Sequence, residues 1–378
     1  MVQPLNILHL HDSFSLGGKT ARAVRMMNAF GDRARHTIVS AAPDRLGADE
    51  AIATGIRYEI AQNPPPLTGS PSVARFEAIA KYMARFDLVL TYNWGAIDGV
   101  MARRAFAKGM PPLIHHEDGF DADEALRLNR MRNYYRRFAL GAASGLVVPS
   151  AQLDHIALDI WKQPRAKVHR ISNGIATARF AGKPDPKAIP GLTKRSGDFV
   201  VGTIADLRDV KDLPALVRAF GGLPGKARLV IVGEGPERQA IQDAADAMFL
   251  GDQLVMPGSL PDPHRYIGLF DVFALSSRSE QQPTGVMEAM AAGLPVVAPP
   301  VGDVAEMVAP ENHHYLAPDR REVVLRDRIQ MLQGRADERA RVGQANRARA
   351  RAMFDESAMI AAYAKLYADT AGRPGALG

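Results

Sequence analysis

Short apolar runs alternate along this chain with longer segments whose apolar positions recur every three or four residues. The short runs have the look of buried strands and the longer segments that of amphipathic helices. Their regular alternation predicts βαβ units and parallel sheets. In the first half the predicted strands cover 5–10, 36–41, 88–92, 113–116, 146–149 and 168–171, with helices over 20–30, 73–85, 96–108 and 125–142. In the second half strands are predicted over 200–204, 228–232, 254–256, 272–275 and 295–298, followed by polar helices over 321–333, 335–354 and 356–371. Residues 181–197 are rich in Pro, Gly and Lys and are expected to form a linker. The pattern predicts an α/β fold class, with two Rossmann-like, doubly wound domains facing a central cleft.

A length of 378 residues suits two such domains better than one core. The absence of cysteine excludes disulfides, thiolate metal sites and cysteine nucleophiles. No apolar stretch approaches a membrane span, and the first residues lack the pattern of a secretory signal. The expectation is a soluble, cytoplasmic protein, at most peripheral to a membrane. The formal charge of +6 is unevenly placed: residues 1–180 carry a balance of +7 and residues 181–378 a balance of −1. No Lys/Arg tract is interleaved with aromatics, so nucleic acid is not an expected partner.

The most informative stretch is SSRSEQQPTGVMEAMAAGLPVVAPPVGD. A strand ending near Leu275 leads into a polar loop, Thr284 can cap a helix, and Gly293 with Pro295 stops it. The amides of Thr284, Gly285 and Val286 would then open toward an anion such as a phosphate. Glu288, one turn in, can accept hydrogen bonds from a pair of hydroxyls, and Glu280 can meet another part of the same ligand.

The stretch resembles the Glu-x7-Glu signature of the retaining GT-B glycosyltransferases of family 4 (glycosyl transferases group 1). The resemblance implies that Glu280 lies by the donor sugar and that Glu288 binds the ribose of a nucleotide diphosphate sugar. The family commonly has Glu-Gly-Phe-Gly where this chain has Glu280, Gln281, Gln282 and Pro283. That departure puts Gln282 where sugar contacts would fall and leaves the sugar open. The same resemblance places Lys211, with Arg208 beside it, on the donor diphosphate. It places Gly233 of VIVGEGPE near the nucleotide and the MPGSLPD loop near the base.

In the first half Gly17 and Gly18 permit a close backbone approach before a helix. Family members have a comparable loop touching donor and acceptor. A family histidine at the end of the strand 113–116 faces the donor sugar, a role that falls on His116, with His115 as the alternative. Asn93 and Trp94 end another strand and can bind a sugar, although a structural tryptophan fits equally well. The run His115, His116, Glu117, Asp118 contains metal-ligand residue types, yet contiguous ligands rarely converge on one ion, and no metal is expected. Residues 127–138 are rich in arginine and aromatics, which invites contact with an anionic membrane surface or an anionic acceptor.

Taken over nearly the whole chain, the resemblance implies an acceptor domain at 1–180, a nucleotide-sugar domain at 181–354, and a terminal helix at 355–378 crossing back onto the first domain. The expected activity is metal-independent, retaining transfer of a sugar to a glycan or lipid-linked acceptor, with no cofactor. A sugar-nucleotide epimerase and an inactive nucleotide-sugar-binding protein are the alternatives.

Overall fold

The computed structural model describes residues 3–15, 18–42, 44–120, 122–124 and 127–378. Contacts group the chain into two compact units: Met1–Asn173 with Ser357–Gly378, and Gly174–Glu356.

The first unit is built, in chain order, from β1 (Leu5–His11), α1 (Gly18–Phe30), β2 (Ala34–Ser40), β3 (Tyr58–Ile60), α2 (Val73–Met83), β4 (Leu88–Tyr92), α3 (Ile97–Ala105), β5 (Leu113–His116), α4 (Arg130–Leu140), β6 (Gly145–Val148), α5 (Ala151–His155) and β7 (Val168–Arg170). The strands form one parallel sheet in the order β3-β2-β1-β4-β5-β6-β7. Successive strand residues face opposite sides. Leu5 and Ile7 pack with Leu88, Leu90 and Ile114 on one face, whereas Leu8, Leu10 and Val89 pack against α2 and α3 on the other. Both faces are covered, which is why the central strands are buried at nearly every position rather than alternating, their histidines included.

The second unit repeats the plan with β8 (Phe199–Ile204), α6 (Leu213–Gly221), β9 (Ala227–Val232), α7 (Arg238–Ala247), β10 (Leu254–Gly258), β11 (Val272–Ala274), α8 (Thr284–Ala292), β12 (Val296–Val297), α9 (Val304–Met307), α10 (Glu322–Leu332) and α11 (Ala336–Met353). Its sheet runs β10-β9-β8-β11-β12, again parallel. α12 (Glu356–Thr370) follows, and its Met359, Tyr363 and Tyr367 lie in the core of the first unit with Leu5, Ile7 and Phe30.

Two expectations need correction. The segment 181–197 is not a free linker, because Ile189 and Leu192 are buried in the core of the second unit. The units also part at Asn173 rather than near residue 180. The reason is local: Ile175 and Phe180 join that same core, and Ile175 bridges Asp355 in parallel, donating to the Phe354 carbonyl at 2.8 Å. The predicted helix 125–142 starts later among the described residues, since the Asn129 side chain accepts from the amides of Met131 and Arg132 and so caps α4.

Candidate active site

In the second unit, the loops leaving β8 and β11 hold each other. Lys211 lies on a short turn after β8, and Glu280 lies in the loop after β11. Lys211 Nζ donates to Glu280 Oε1 at 2.5 Å, and the Ser277 hydroxyl donates to the same oxygen at 2.7 Å. The Ser276 hydroxyl donates to the Lys211 carbonyl at 2.9 Å. Arg278 reaches back to Asp209 and Asp212, each at 3.0 Å. A lysine and a carboxylate thus meet at the carboxyl ends of two neighbouring strands, where ligands bind in open α/β sheets. The pairing also compensates both charges in a largely buried place.

α8 begins directly after this loop. Pro283, not Thr284, occupies its N-cap, and no side chain caps it. The Val286 amide is not open to a ligand, because it donates to the Pro283 carbonyl at 3.1 Å. The amides of Thr284 and Gly285 are in the first turn, where no intrahelical acceptor exists. A Cβ on Gly285 would stand 3.0 Å from the Phe273 ring and 3.3 Å from the Ile204 carbonyl, so glycine lets α8 start close against the sheet. Gln282 is half-buried, and the Gln281 carbonyl accepts from the Asp303 amide at 2.9 Å.

Glu288 is half-buried one turn into α8. Burial, aided by the charge of Glu288, pushes the Tyr266 hydroxyl well above its ordinary range. That hydroxyl donates to the Leu260 carbonyl at 3.3 Å, so Glu288 neighbours the MPGSLPD loop through Tyr266. Gly233 has φ +147, and a Cβ there would lie 1.9 Å from the Ala205 carbonyl, which shows how tightly the loop after β9 presses on the one after β8. Arg208 does not join Lys211: it is exposed, and Asp206 is 3.8 Å away. Ser277 and Arg278 join the site without having been expected there, although the SSRSE run holds both a hydroxyl and a guanidinium beside Glu280.

In the first unit, Gly17 lies outside the described residues, and Gly18 opens α1. Arg22, one turn on, forks onto the Asp118 carboxylate, with Nη2 at 2.7 Å from Oδ2, and donates to Asn173 Oδ1 at 3.0 Å. Asn93 has φ +55; its amide donates to the His116 carbonyl and its side chain accepts from the Asp118 amide, both at 2.8 Å. Asn93 and Arg22 therefore fix the turn that follows β5.

Neither histidine of β5 presents its ring to a ligand. His116 is fully buried, with Nδ1 at 3.2 Å from the Thr91 carbonyl and Nε2 at 2.7 Å from the Tyr367 hydroxyl. Burial lowers its pKa to about 3, so the ring is neutral, Nδ1 donates and Nε2 accepts. His115 points to the opposite face, where Nδ1 meets the Thr91 hydroxyl at 2.8 Å and Nε2 stands 3.8 Å from Glu117. Because the two rings diverge, the His-His-Glu-Asp run does not converge on a single point. Trp94 is a packing residue, edge-on to Tyr135 at 5.5 Å and beneath the guanidinium of Arg136 at 5.0 Å.

Two parallel Rossmann-like sheets, one carrying the Lys211–Glu280 cluster, define the GT-B class. The chain belongs to the glycosyltransferases of family 4, group 1: the Glycosyltransferase Family 4 model matches residues 16–179 and the Glycosyl transferases group 1 model matches residues 185–349. The chain is 22% identical over 335 residues to the 2-deoxystreptamine N-acetyl-D-glucosaminyltransferase of Streptomyces fradiae, covering 80% of this chain and 79% of that one. It is 26% identical over 234 residues to WcaL of Escherichia coli, named for colanic acid biosynthesis, covering 59% and 55%. Several of the curated relatives are thus matched over about half of their length. HepE of Anabaena, solved in complex with UDP, shares the fold with a TM-score of 0.77 at 20% identity, over 97% of this chain and 100% of that one. Among the described residues no helix is long and apolar enough to cross a membrane.

Proposed function

We propose that this protein transfers a sugar from a nucleoside diphosphate sugar to a glycan or lipid-linked acceptor, with retention of configuration and without a metal ion. The observation that carries this reading is the Lys211–Ser277–Glu280 cluster beside the first turn of α8. As the bond from the anomeric carbon to the diphosphate breaks, negative charge gathers on the leaving oxygen. Lys211 and the amides of Thr284 and Gly285 are arranged to stabilise it. The acceptor hydroxyl bonds to the anomeric carbon on the face the diphosphate leaves, and its proton passes to the diphosphate, so no enzymic nucleophile is needed. Glu280 orients the donor sugar, with Gln282 near it, and Glu288 accepts from the ribose hydroxyls. Before the donor arrives Lys211 and Glu280 neutralise each other; the diphosphate gives Lys211 a second anionic partner and frees Glu280 oxygens for sugar hydroxyls.

On the first unit, Gly18 at the start of α1 serves acceptor binding, with Gly17 assigned beside it by the family resemblance, while Asn93 braces the turn after β5 and His115 and His116 keep their rings buried. Relatives named for envelope polysaccharides favour a bacterial glycan acceptor. A lipid-linked acceptor would bring the protein to the inner face of a membrane.

The test is a thermal-shift panel of UDP-, GDP-, ADP- and TDP-sugars, followed by release of the nucleoside diphosphate from whichever donor stabilises the fold. Glu280→Gln is expected to keep nucleotide binding and to lower release by on the order of 100-fold. Full turnover of that variant would remove Glu280 from the mechanism. An epimerase would convert the donor alone, and an inactive binder would never release the nucleotide, so each alternative has its own signature in the same assay.

A further inference from the structure

α4 sorts its charges by direction. Arg136 is turned inward and fully buried, binding Glu124 through two bonds at 3.1 and 3.0 Å, with Nε 3.3 Å from Glu117. Arg132 is likewise engaged with Asp123 at 2.8 Å and Glu124 at 3.1 Å. Arg127, Arg130 and Arg137 remain exposed. Three large apolar side chains stand beside them: Met131, Tyr134 and Phe138 are 75%, 67% and 55% exposed. Positions 131, 134 and 138 form one stripe of the helix.

Neighbouring segments widen this stripe. Ile160, 43% exposed, shares a shallow pocket of about 310 Å³ with Arg130, Tyr134 and Arg137. An adjoining pocket of about 470 Å³ adds Arg104, Lys162 and Lys167 around Phe138. The Arg104 guanidinium lies 3.7 Å from the Phe138 ring centre. No carboxylate lines either pocket among the described residues, the nearest in sequence being exposed Asp159 beside Ile160. The other large exposed hydrophobics are scattered along the chain, at Tyr58, Val73, Phe249, Val323 and Met353. A contiguous apolar patch rimmed by charges of one sign marks an interaction surface.

We propose that this face docks peripherally on an anionic lipid bilayer. α4 lies along the surface, Met131, Tyr134 and Phe138 enter the boundary between headgroups and acyl chains, and Arg104, Arg130, Arg137, Lys162 and Lys167 meet lipid phosphates. Cations alone would serve any polyanion, and an apolar stripe alone any apolar partner. Interleaved on one helix face, they match the layered chemistry of a charged bilayer. The surface is independent of the transfer chemistry, so it stands or falls whatever the donor proves to be.

The experiment is co-sedimentation of the full chain with phosphatidylcholine vesicles and with vesicles containing phosphatidylglycerol, at low and high salt. Binding is expected to require phosphatidylglycerol and to weaken with salt. The variant Arg130→Gln/Arg137→Gln/Lys162→Gln and the variant Tyr134→Ser/Phe138→Ser should each lower partitioning by about tenfold or more with an unchanged melting temperature. Phe249→Ser, altering an isolated side chain 92% exposed on the second unit, should leave binding unchanged. Failure of the wild type to bind phosphatidylglycerol vesicles, equal binding by both variants, or a soluble dimer broken by Tyr134→Ser/Phe138→Ser in place of vesicle binding would each overturn the proposal.

Discussion

The histidines of the first unit illustrate how much a single residue depends on its surroundings. His9 and His36 share a hydrogen bond at 3.0 Å between Nε2 and Nδ1, and the other nitrogen of His9 meets the Tyr92 hydroxyl at 3.1 Å. Burial pushes the His36 pKa down to about 4 and that of His116 to about 3, and it holds His9 well below its ordinary value. Below pH ~6.5 the unfolded chain takes up protons that the folded chain refuses until about pH 4 or lower. Stability is therefore fully present above pH ~6.5 and falls as pH drops from there toward 4, by ~1.4 kcal/mol per histidine per pH unit at most. Urea midpoints at pH 7.5 and pH 5 should differ clearly, with the lower midpoint at pH 5; equal midpoints would show that these rings are protonated in place. Packing keeps all three dry and neutral, with Phe30 of α1 beside His36 and Tyr363 and Tyr367 of α12 beside His116.

At the scale of elements, the candidate site in the second unit rests on loops that press on one another. The β8 and β9 loops approach so closely that a Cβ at Gly233 would collide with the Ala205 carbonyl, and one at Gly235 would stand 2.4 Å from the Leu207 carbonyl. Gly233→Ala is expected to cost about 1–3 kcal/mol, because φ +147 strains any other residue and the backbone cannot yield cheaply. Denaturant unfolding of the variant checks the loss, and a wild-type midpoint would show that the two loops can part. Much of this site was legible, since Glu280 and Glu288 sit on one loop-to-helix segment with a fixed local spacing. The start of α8 lies one residue earlier than the sequence suggests: Thr284 has the chemistry of a cap, but Pro283 occupies the N-cap, where its missing N–H costs no intrahelical bond. On the first unit the Arg22 fork was not legible, because its partners Asp118 and Asn173 are 96 and 151 residues away. Neither end of such a contact announces the other.

For the molecule as a whole, the decisive feature is the route of the chain. It leaves the first unit at Asn173, builds the second, and returns from Ser357. α12 then covers one face of the seven-stranded sheet with Met359, Tyr363 and Tyr367, joined by Leu377. A chain ending at Glu356 would uncover Leu5, Ile7, Leu90 and Ile114 and lose the Tyr367–His116 bond. Each large side chain contributes roughly 1.5–3 kcal/mol when buried, so the first unit should lose cooperative melting and bind a hydrophobic dye. A truncated chain melting like the full one would contradict this account of the core.

By itself the sequence determined the alternation of strands and helices, the class of fold and the strand–loop–helix segment bearing Glu280 and Glu288. These follow from apolar periodicity, turn residues and spacing within a few turns of chain. Tertiary structure alone decided which arginines of α4 face carboxylates and which face solvent, where the β5 histidines point, and that residues 174–197 pack as part of the second unit. Those outcomes depend on burial and charge pairing between segments far apart in sequence, where the same side chain is stable inside or outside according to the partner that folding brings.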